Sequence, residues 1–271
     1  MNINIVPKIG DNPKELWQIR DYIKDQLEIQ LLSDDITKFA NKVESFLENR
    51  KFKRIIVHLP MSMADWESLL MNKEVESQFL AFVRQCTVLS DKYGTEIYIL
   101  GHLSMREIVL KKVQLKEWFG FLIRMVNHSK VYFLVENPTI EPYKTKNGEP
   151  FYKFVKDLNN SRVRCCLDLC HYRVMHSLLG DRYKLPEDIA QYVQSVHFSY
   201  YDESIHPYTE NSHGIRHKNK EDILEDLKFL KSVGIDISKT FIVTEINEKD
   251  YKNKPDLVAE LQMLTEIKKT N

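Results

Sequence analysis

Residue types that bind metals or transfer protons recur in this chain at the ends of short apolar runs. Each run has the length and composition of a buried strand, and the polar side chain stands at or near its carboxyl end. In chain order these side chains are His58, His102, Glu136, Asp168 with His171, His197, and Glu245. Imidazole and carboxylate groups can hold a divalent cation or act as an acid–base pair. The set as a whole therefore predicts a metal-binding or catalytic site.

The stretch 162–171, RVRCCLDLCH, shows the pattern most clearly. Asp168 and His171 leave one strand end three residues apart, so both side chains can face a common point. An aspartate that caps a helix beside a surface histidine would give the same spacing. Recurrence of a histidine or carboxylate at five further strand ends favours the chemical interpretation.

Apolar strand patterns alternate with amphipathic helical patterns along the whole chain. The helical patterns include 14–24, a helix capped by Ser33, 74–93, 149–160, and a last helix that opens at Pro255. The predicted strands are 2–7, 27–32, 54–60, 95–102, 130–137, 162–168, 193–199 and 240–246. Eight such units in about 250 residues predict a (β/α)8 TIM barrel, whereas a doubly wound sheet usually has fewer strands. We expect one domain that spans residues 1–271.

Composition makes some functions less favoured, although nucleic acid remains a possible partner. The 39 basic residues balance the 39 acidic ones, so net charge does not favour nucleic acid or an anionic membrane as a partner. No apolar run approaches the roughly 18 residues that a membrane span needs, and the first residues do not resemble a secretion signal. Cys165, Cys166 and Cys170 crowd together, and adjacent strand residues face opposite sides, so we expect free thiols rather than a disulfide framework. These features predict a cytoplasmic protein.

In a barrel of this kind the carboxyl ends of the strands meet at one mouth. Carboxylates gathered there would repel one another and would be costly to desolvate, so we expect divalent cations to balance them. A mixture of imidazole and carboxylate ligands suits Zn or Mn, with Fe or Co as alternatives. The number of candidate ligands allows one to three ions per chain.

Four motifs resemble the xylose isomerase-like TIM barrel superfamily, which includes endonuclease IV (AP endonuclease family 2) and many sugar-phosphate isomerases and epimerases. Glu136-Asn137 resembles the family's metal-bridging Glu-Asn pair, and Cys166-Leu-Asp168-Leu-Cys170-His171 is similar to an Asp-x-Cys-His motif. His197 and Glu245 match the ligands at the ends of strands seven and eight. The resemblance implies that Glu136, Asp168, His197 and Glu245 are the ligands shared across the superfamily.

Other residues resemble the nuclease branch, with departures. His58 and His102 match ligands of an additional ion, and His217 in Gly214-Ile-Arg-His217 resembles an Asp-Arg-His motif that binds a third ion. Ile215 stands where that motif has aspartate. Either the third ion is lost, or Asp202 or His213 supplies the ligand. Glu245-Ile-Asn also replaces the usual Glu-Thr-Pro, and a glycine-rich segment is missing, so a true abasic-site endonuclease is not expected.

Two loops complete the predicted site. Segment 61–73 carries Met61, Met63 and Trp66 and is either an apolar lid or the start of a helix. Segment 200–218 is long, as loops that serve a barrel active site often are. Candidate substrate-binding residues are Arg173, Arg216 and His213. Each arginine is alternatively a solvated surface charge.

We predict first a multinuclear hydrolase that cleaves a phosphoester in a sugar phosphate, a nucleotide or a nucleic acid. One ion would lie on His58, His102 and Glu136. A second ion would be bound by Asp168, His197 and Glu245, and His171 and His217 would complete a third or contact phosphate.

The alternative is a single-metal sugar or sugar-phosphate isomerase or epimerase. There Glu136 or Glu245 would also carry a proton, and His171 would contact a small sugar or phosphorylated substrate. A third hypothesis is a non-catalytic binding barrel. Intact ligand residues at six strand ends count against it.

Overall fold

Eight parallel strands close into a barrel in chain order, as the computed structural model of the chain shows. The structure describes residues 1–60, 66, 68–70, 72–102, 109–137, 150–180, 184–202, 204, 214–246 and 254–270. The strands are β1 (Ile5–Ile9), β2 (Gln26–Gln30), β3 (Arg54–His58), β4 (Glu96–His102), β5 (Val131–Glu136), β6 (Val163–Asp168), β7 (Val193–Phe198) and β8 (Phe241–Thr244). The predicted (β/α)8 fold is confirmed.

Seven α-helices pack around this barrel within the described residues. They are α1 (Phe39–Asn49), α2 (Lys73–Tyr93), α3 (Val109–Met125), α4 (Pro150–Leu158), α5 (Leu169–Leu179), α6 (Lys220–Ser232) and α7 (Pro255–Thr270). Gly94 ends α2 in the left-handed conformation with φ of 66°, which favours glycine, and Pro255 opens α7 as predicted. None of the helices in the described segments is long and apolar enough to cross a membrane.

Burial on both faces explains why the strands are almost continuously apolar. A small inner cluster fills the barrel, and a larger outer cluster lies between the strands and the helices. The inner cluster consists of Val6, Ile56, Tyr98, Leu100, Leu134, Cys166, Phe241 and Val243. Strand register then pairs His102 with Glu136 and Asp168 with His197 at the carboxyl end of the barrel.

The prediction of a helix over residues 14–24 is wrong. Only Pro13–Trp17 is helical there, as a 3-10 turn capped by the Asn12 side chain. Glu15 turns inward, where its carboxylate accepts a hydrogen bond from Gly10 N and pairs with Lys254 at 3.3 Å. These buried tertiary contacts override a weak helical pattern.

The helix after β2 also begins later than predicted. Asp35, rather than Ser33, caps a 3-10 turn at Ile36–Lys38, and α1 starts only at Phe39. The Ser33 hydroxyl instead accepts a hydrogen bond from Asp35 N, which places the serine two residues outside the cap.

Trp66 lies in the segment predicted to form a lid or a helix start, and its side chain is fully buried. Its ring packs against Phe79, Trp118, Phe119 and Phe133, and its indole N–H donates to the Gly101 carbonyl at 2.9 Å. Met61 and Met63 lie outside the described residues. Trp66 is therefore part of the core rather than of an exposed lid.

We expect Trp66→Ala to lower the free energy of unfolding by about 3–5 kcal/mol, because it leaves a cavity among four aromatic rings. The measurement is urea denaturation. Trp17, which is 66% exposed, provides the control, and Trp17→Ala should change stability by no more than about 0.5 kcal/mol. Equal effects of the two substitutions would contradict the core assignment of Trp66.

Candidate metal centre

The carboxyl ends of the strands bring together four buried residues whose side chains could bind a metal ion. Glu136, Asp168, His197 and Glu245 each offer one ligand atom, and these atoms all lie within 4.8 Å of one another. A second group, formed by His58, His102 and Glu136, meets the same distance criterion. Glu136 belongs to both groups, as a bridging carboxylate would.

Glu136 lies at the centre of these groups. Its Oε2 atom is 3.3 Å from Nε2 of His58 and 3.3 Å from Nε2 of His102, and its Oε1 atom is 3.2 Å from Nδ1 of His197. Burial opposes ionisation of Glu136, but His197 and His102 hold the pKa of its carboxyl well below the ordinary value. Glu136 is therefore a carboxylate at neutral pH.

His197 presents one ring nitrogen to three carboxylates. Its Nδ1 atom lies 2.8 Å from Glu245 Oε2, 3.2 Å from Glu136 Oε1 and 3.7 Å from Asp168 Oδ2. Burial lowers the pKa of His197, but nearby Cys166 and the surrounding carboxylates raise it well above the ordinary value. A cation that binds here must displace the Nδ1 proton.

These residues fit a divalent cation. Within the described part of the chain, Glu136 Oε2 and His197 Nδ1 are fully buried and make ion-pair contacts but no well-oriented hydrogen bond. Buried polar atoms without such partners are costly, and a cation at this point would satisfy both. Three carboxylates and one imidazole are ligand types that divalent cations bind.

The sequence left open whether Asp168 and His171 form a helix cap or part of a metal site, and the structure is compatible with both. The Asp168 side chain caps α5 by accepting a hydrogen bond from His171 N at 2.6 Å, and the same residue lies in the group of four ligands. The His171 ring donates from Nδ1 to the Asn137 carbonyl at 2.8 Å, and its Nε2 lies 3.8 Å from Asp168 Oδ2. His171 is therefore oriented beside the ligands, at the edge of the group.

Asn137 locks the strand ends that carry Glu136 and Asp168. Its amide N–H donates to the Asp168 carbonyl at 3.0 Å, and its amide oxygen accepts from Asp168 N at 2.6 Å. This reciprocal pair joins the residue that follows Glu136, at the end of β5, to Asp168 at the end of β6. In the Glu-Asn pair, Glu136 is therefore the candidate ligand, and Asn137 holds the two strand ends together.

The structure does not bring His217 to this centre. Nδ1 of His217 lies 2.6 Å from Glu260 in α7, and Nε2 lies 3.0 Å from Asp226 in α6. Both ring nitrogens are thus held by carboxylates that the sequence analysis missed because they lie within helices. The expected metal-binding role of His217 is not met by this geometry.

Other predicted residues are also engaged elsewhere. Arg173 forms an ion pair with Asp226, and Arg216 pairs with Asp256 at 3.1 Å. Asp202, a candidate substitute for the ligand absent at Ile215, pairs with Lys218 at 2.9 Å. His213, the other candidate, lies outside the described residues.

Two further charged residues belong to the centre and were missed by the sequence analysis. Nζ of Lys8 lies 2.5 Å from Glu245 Oε1 and 3.0 Å from Glu28 Oε1. Burial opposes both charges, yet the mutual attraction raises the pKa of Lys8 and, together with His197, lowers the pKa of Glu28. The available signal was a single charge within each of two strand patterns, IVPKI and QLEIQ, because charged side chains are rarely buried without a partner.

Comparisons with known proteins agree with this architecture. No protein-family model matches the chain, and no curated protein matches its sequence. The TTHB071 protein from Thermus thermophilus, soaked with zinc chloride, is 17% identical over 99% of both chains, with a TM-score of 0.65. A D-tagatose 3-epimerase-like protein is 17% identical over 97% of this chain and 98% of its own, with a TM-score of 0.64. The IolI protein with bound zinc is 13% identical over 96% of this chain and 95% of its own, with a TM-score of 0.59.

We expect Lys8→Met to destabilise the metal-free protein by about 3–5 kcal/mol, because Glu28 and Glu245 lose a buried counterion. Added zinc should reduce the difference in free energy of unfolding between Lys8→Met and the wild type, since a cation bound by Glu245 replaces part of the lost charge. Urea denaturation with and without zinc measures this difference.

Lys254→Met is the matched control, since Lys254 is also buried and paired with a glutamate, Glu15, outside the ligand groups. The difference in free energy of unfolding between Lys254→Met and the wild type should not depend on zinc. A zinc-independent difference for Lys8→Met would contradict a role for Lys8 in charge balance at the centre.

Proposed function

We propose that this chain, which has the fold of the xylose isomerase-like TIM barrels, is a metal-dependent isomerase or epimerase of a sugar or sugar phosphate. The observation that carries the proposal is the buried group formed by Glu136, Asp168, His197 and Glu245. Three carboxylates and one imidazole at a barrel mouth can hold one divalent cation. The similarity in fold to a D-tagatose 3-epimerase-like protein supports this choice.

The bound cation would polarise a carbonyl and a neighbouring hydroxyl of the sugar. The chain itself must then move a proton between adjacent carbons, or remove it from one face of a carbon and return it to the other. Glu136 lies in the group of four, beside the point where a cation would hold the sugar, and is one candidate to accept that proton. Glu245 is the second candidate, with Oε1 against Lys8 and Oε2 towards His197.

Substrate contacts would come from the residues around this carboxylate pair. His171 is oriented by the Asn137 carbonyl and remains slightly exposed, at 7%. Arg173, two residues further along α5, lines a surface cavity of about 270 Å³, but four carboxylates line the same cavity and no residue of the group of four does. We propose that the substrate is a small sugar or sugar phosphate, with a sugar hydroxyl hydrogen-bonded to His171.

Phosphoester hydrolysis with two ions is the second candidate, and the group formed by His58, His102 and Glu136 favours it. Burial and the charge of Lys8 lower the pKa of His58, so its imidazole is neutral, as a metal ligand must be. A third ion lacks the expected ligand, because His217 is bound to Glu260 and Asp226. The balanced net charge does not favour a nucleic acid as the substrate.

Metal content separates the two candidates. We expect one ion per chain in protein purified without added metal, and the same content in a His58→Ala, His102→Ala double variant, because the group of four ligands remains intact. Elemental analysis measures this. Two or three ions that fall by one in the double variant would instead support the hydrolase.

Reaction products provide the second test. With a panel of ketoses and their phosphates in D2O, we expect deuterium to enter the carbon next to the carbonyl. Glu136→Gln should reduce that rate by roughly 10²–10⁴-fold, because proton transfer loses its base. NMR follows the exchange.

Glu96→Gln is the control, since Glu96 opens β4 at the opposite end of the barrel and pairs with Arg54. It should exchange deuterium at the wild-type rate. Release of inorganic phosphate without deuterium incorporation would contradict the isomerase proposal.

A further inference from the structure

We infer that Glu28 is a positioning residue that determines which nitrogen of His197 faces the metal centre. This inference rests on the proposed role of His197 as a metal ligand. Glu28 lies in the middle of β2, has no exposed surface, and belongs to none of the predicted ligand sets.

The contacts of Glu28 are directed at one atom. Its Oε1 and Oε2 atoms lie 3.0 Å and 3.1 Å from Nε2 of His197. An ionised carboxylate only accepts hydrogen bonds, so Nε2 of the imidazole must carry the proton and donate it. Nδ1, on the other side of the ring, then remains as the ligand nitrogen.

The opposite tautomer would disable the centre. A proton on Nδ1 would point at Glu245, Glu136 and Asp168, the three carboxylates that surround this atom, and would occupy the position of the cation. A neutral imidazole in water populates both tautomers, so the second contact of the ring selects between them. A carboxylate in that place also increases the basicity of the ligand nitrogen.

Two neighbours keep Glu28 and His197 in place. The Lys8 ammonium, 3.0 Å from Glu28 Oε1, balances the buried carboxylate, which would otherwise be costly to desolvate. The His58 ring stacks on the His197 ring at a centroid distance of 5.7 Å with an interplanar angle of 18°. Residues of β1, β2 and β3 thus orient a ligand that belongs to β7.

The first test uses the wild-type protein loaded with zinc and labelled with 15N-histidine. We expect His197, assigned by comparison with His197→Gln, to show a slowly exchanging proton on Nε2 and a metal-shifted Nδ1. If the Nε2 resonance is shifted by the metal instead, the inference is overturned. This test needs no substitution of Glu28.

The second test is zinc affinity, measured by competition with a chelator. Glu28→Met removes the acceptor, so we expect the zinc dissociation constant to rise by roughly 10–100-fold and the Nε2 proton signal to be lost. Glu28→Gln keeps an acceptor oxygen and should restore both the signal and most of the affinity. An equal loss in the two variants, or no loss in Glu28→Met, would overturn the inference.

Glu260→Met is the matched control, because Glu260 is a buried carboxylate bound to another histidine, His217. It should leave the zinc affinity unchanged. The proposed function can fail separately. If the wild-type protein binds no metal, the proposed function is contradicted. If the wild type and Glu28→Met bind zinc with equal affinity, only the role of Glu28 is contradicted.

Discussion

Charge balance among buried carboxylates is the constraint on which this structure depends. Glu136, Asp168 and Glu245 lie at the carboxyl ends of their strands, Glu28 lies in the middle of β2 beside them, and each is at most 7% exposed. Their mutual repulsion and their desolvation would be prohibitive without cations. Lys8 provides one positive charge from the chain itself, and His197 provides a second while its Nδ1 atom is protonated. A divalent cation at the group of four would displace that proton and take over its balancing role.

The barrel makes this concentration of charge tolerable. Its apolar inner cluster supports the strand ends from below, and parallel register holds neighbouring ligands at fixed heights. Asn137 ties β5 to β6 through two hydrogen bonds, so Glu136 and Asp168 cannot drift apart. Rigid strands can thus position side chains whose electrostatic repulsion would separate them on a flexible loop.

A second buried network shows the same chemistry in a structural role. His217 joins Glu260 of α7 to Asp226 of α6, its ring stacks on Phe198 of β7, and Asp226 continues the chain of contacts to Arg173 of α5. Here the histidine is satisfied by two carboxylates. In the metal centre, by contrast, buried atoms of Glu136 and His197 have no hydrogen-bond partner among the described residues. That difference separates a candidate ligand from a histidine that ties helices to the barrel.

The sequence by itself determined the alternation of strands and helices, and with it the barrel, because burial of both strand faces imposes long apolar runs that punctuate the chain. It also determined the ligand candidates at strand ends, since parallel strands deliver those ends to one mouth. Only the tertiary structure decided the rest. His217 was drawn to Glu260, and Lys8 and Glu28 became part of the centre, because these choices depend on which charges meet between elements that are distant in the chain. Local sequence patterns record burial and periodicity, whereas the partner of a buried charge is determined by distances that exist only after the barrel has closed.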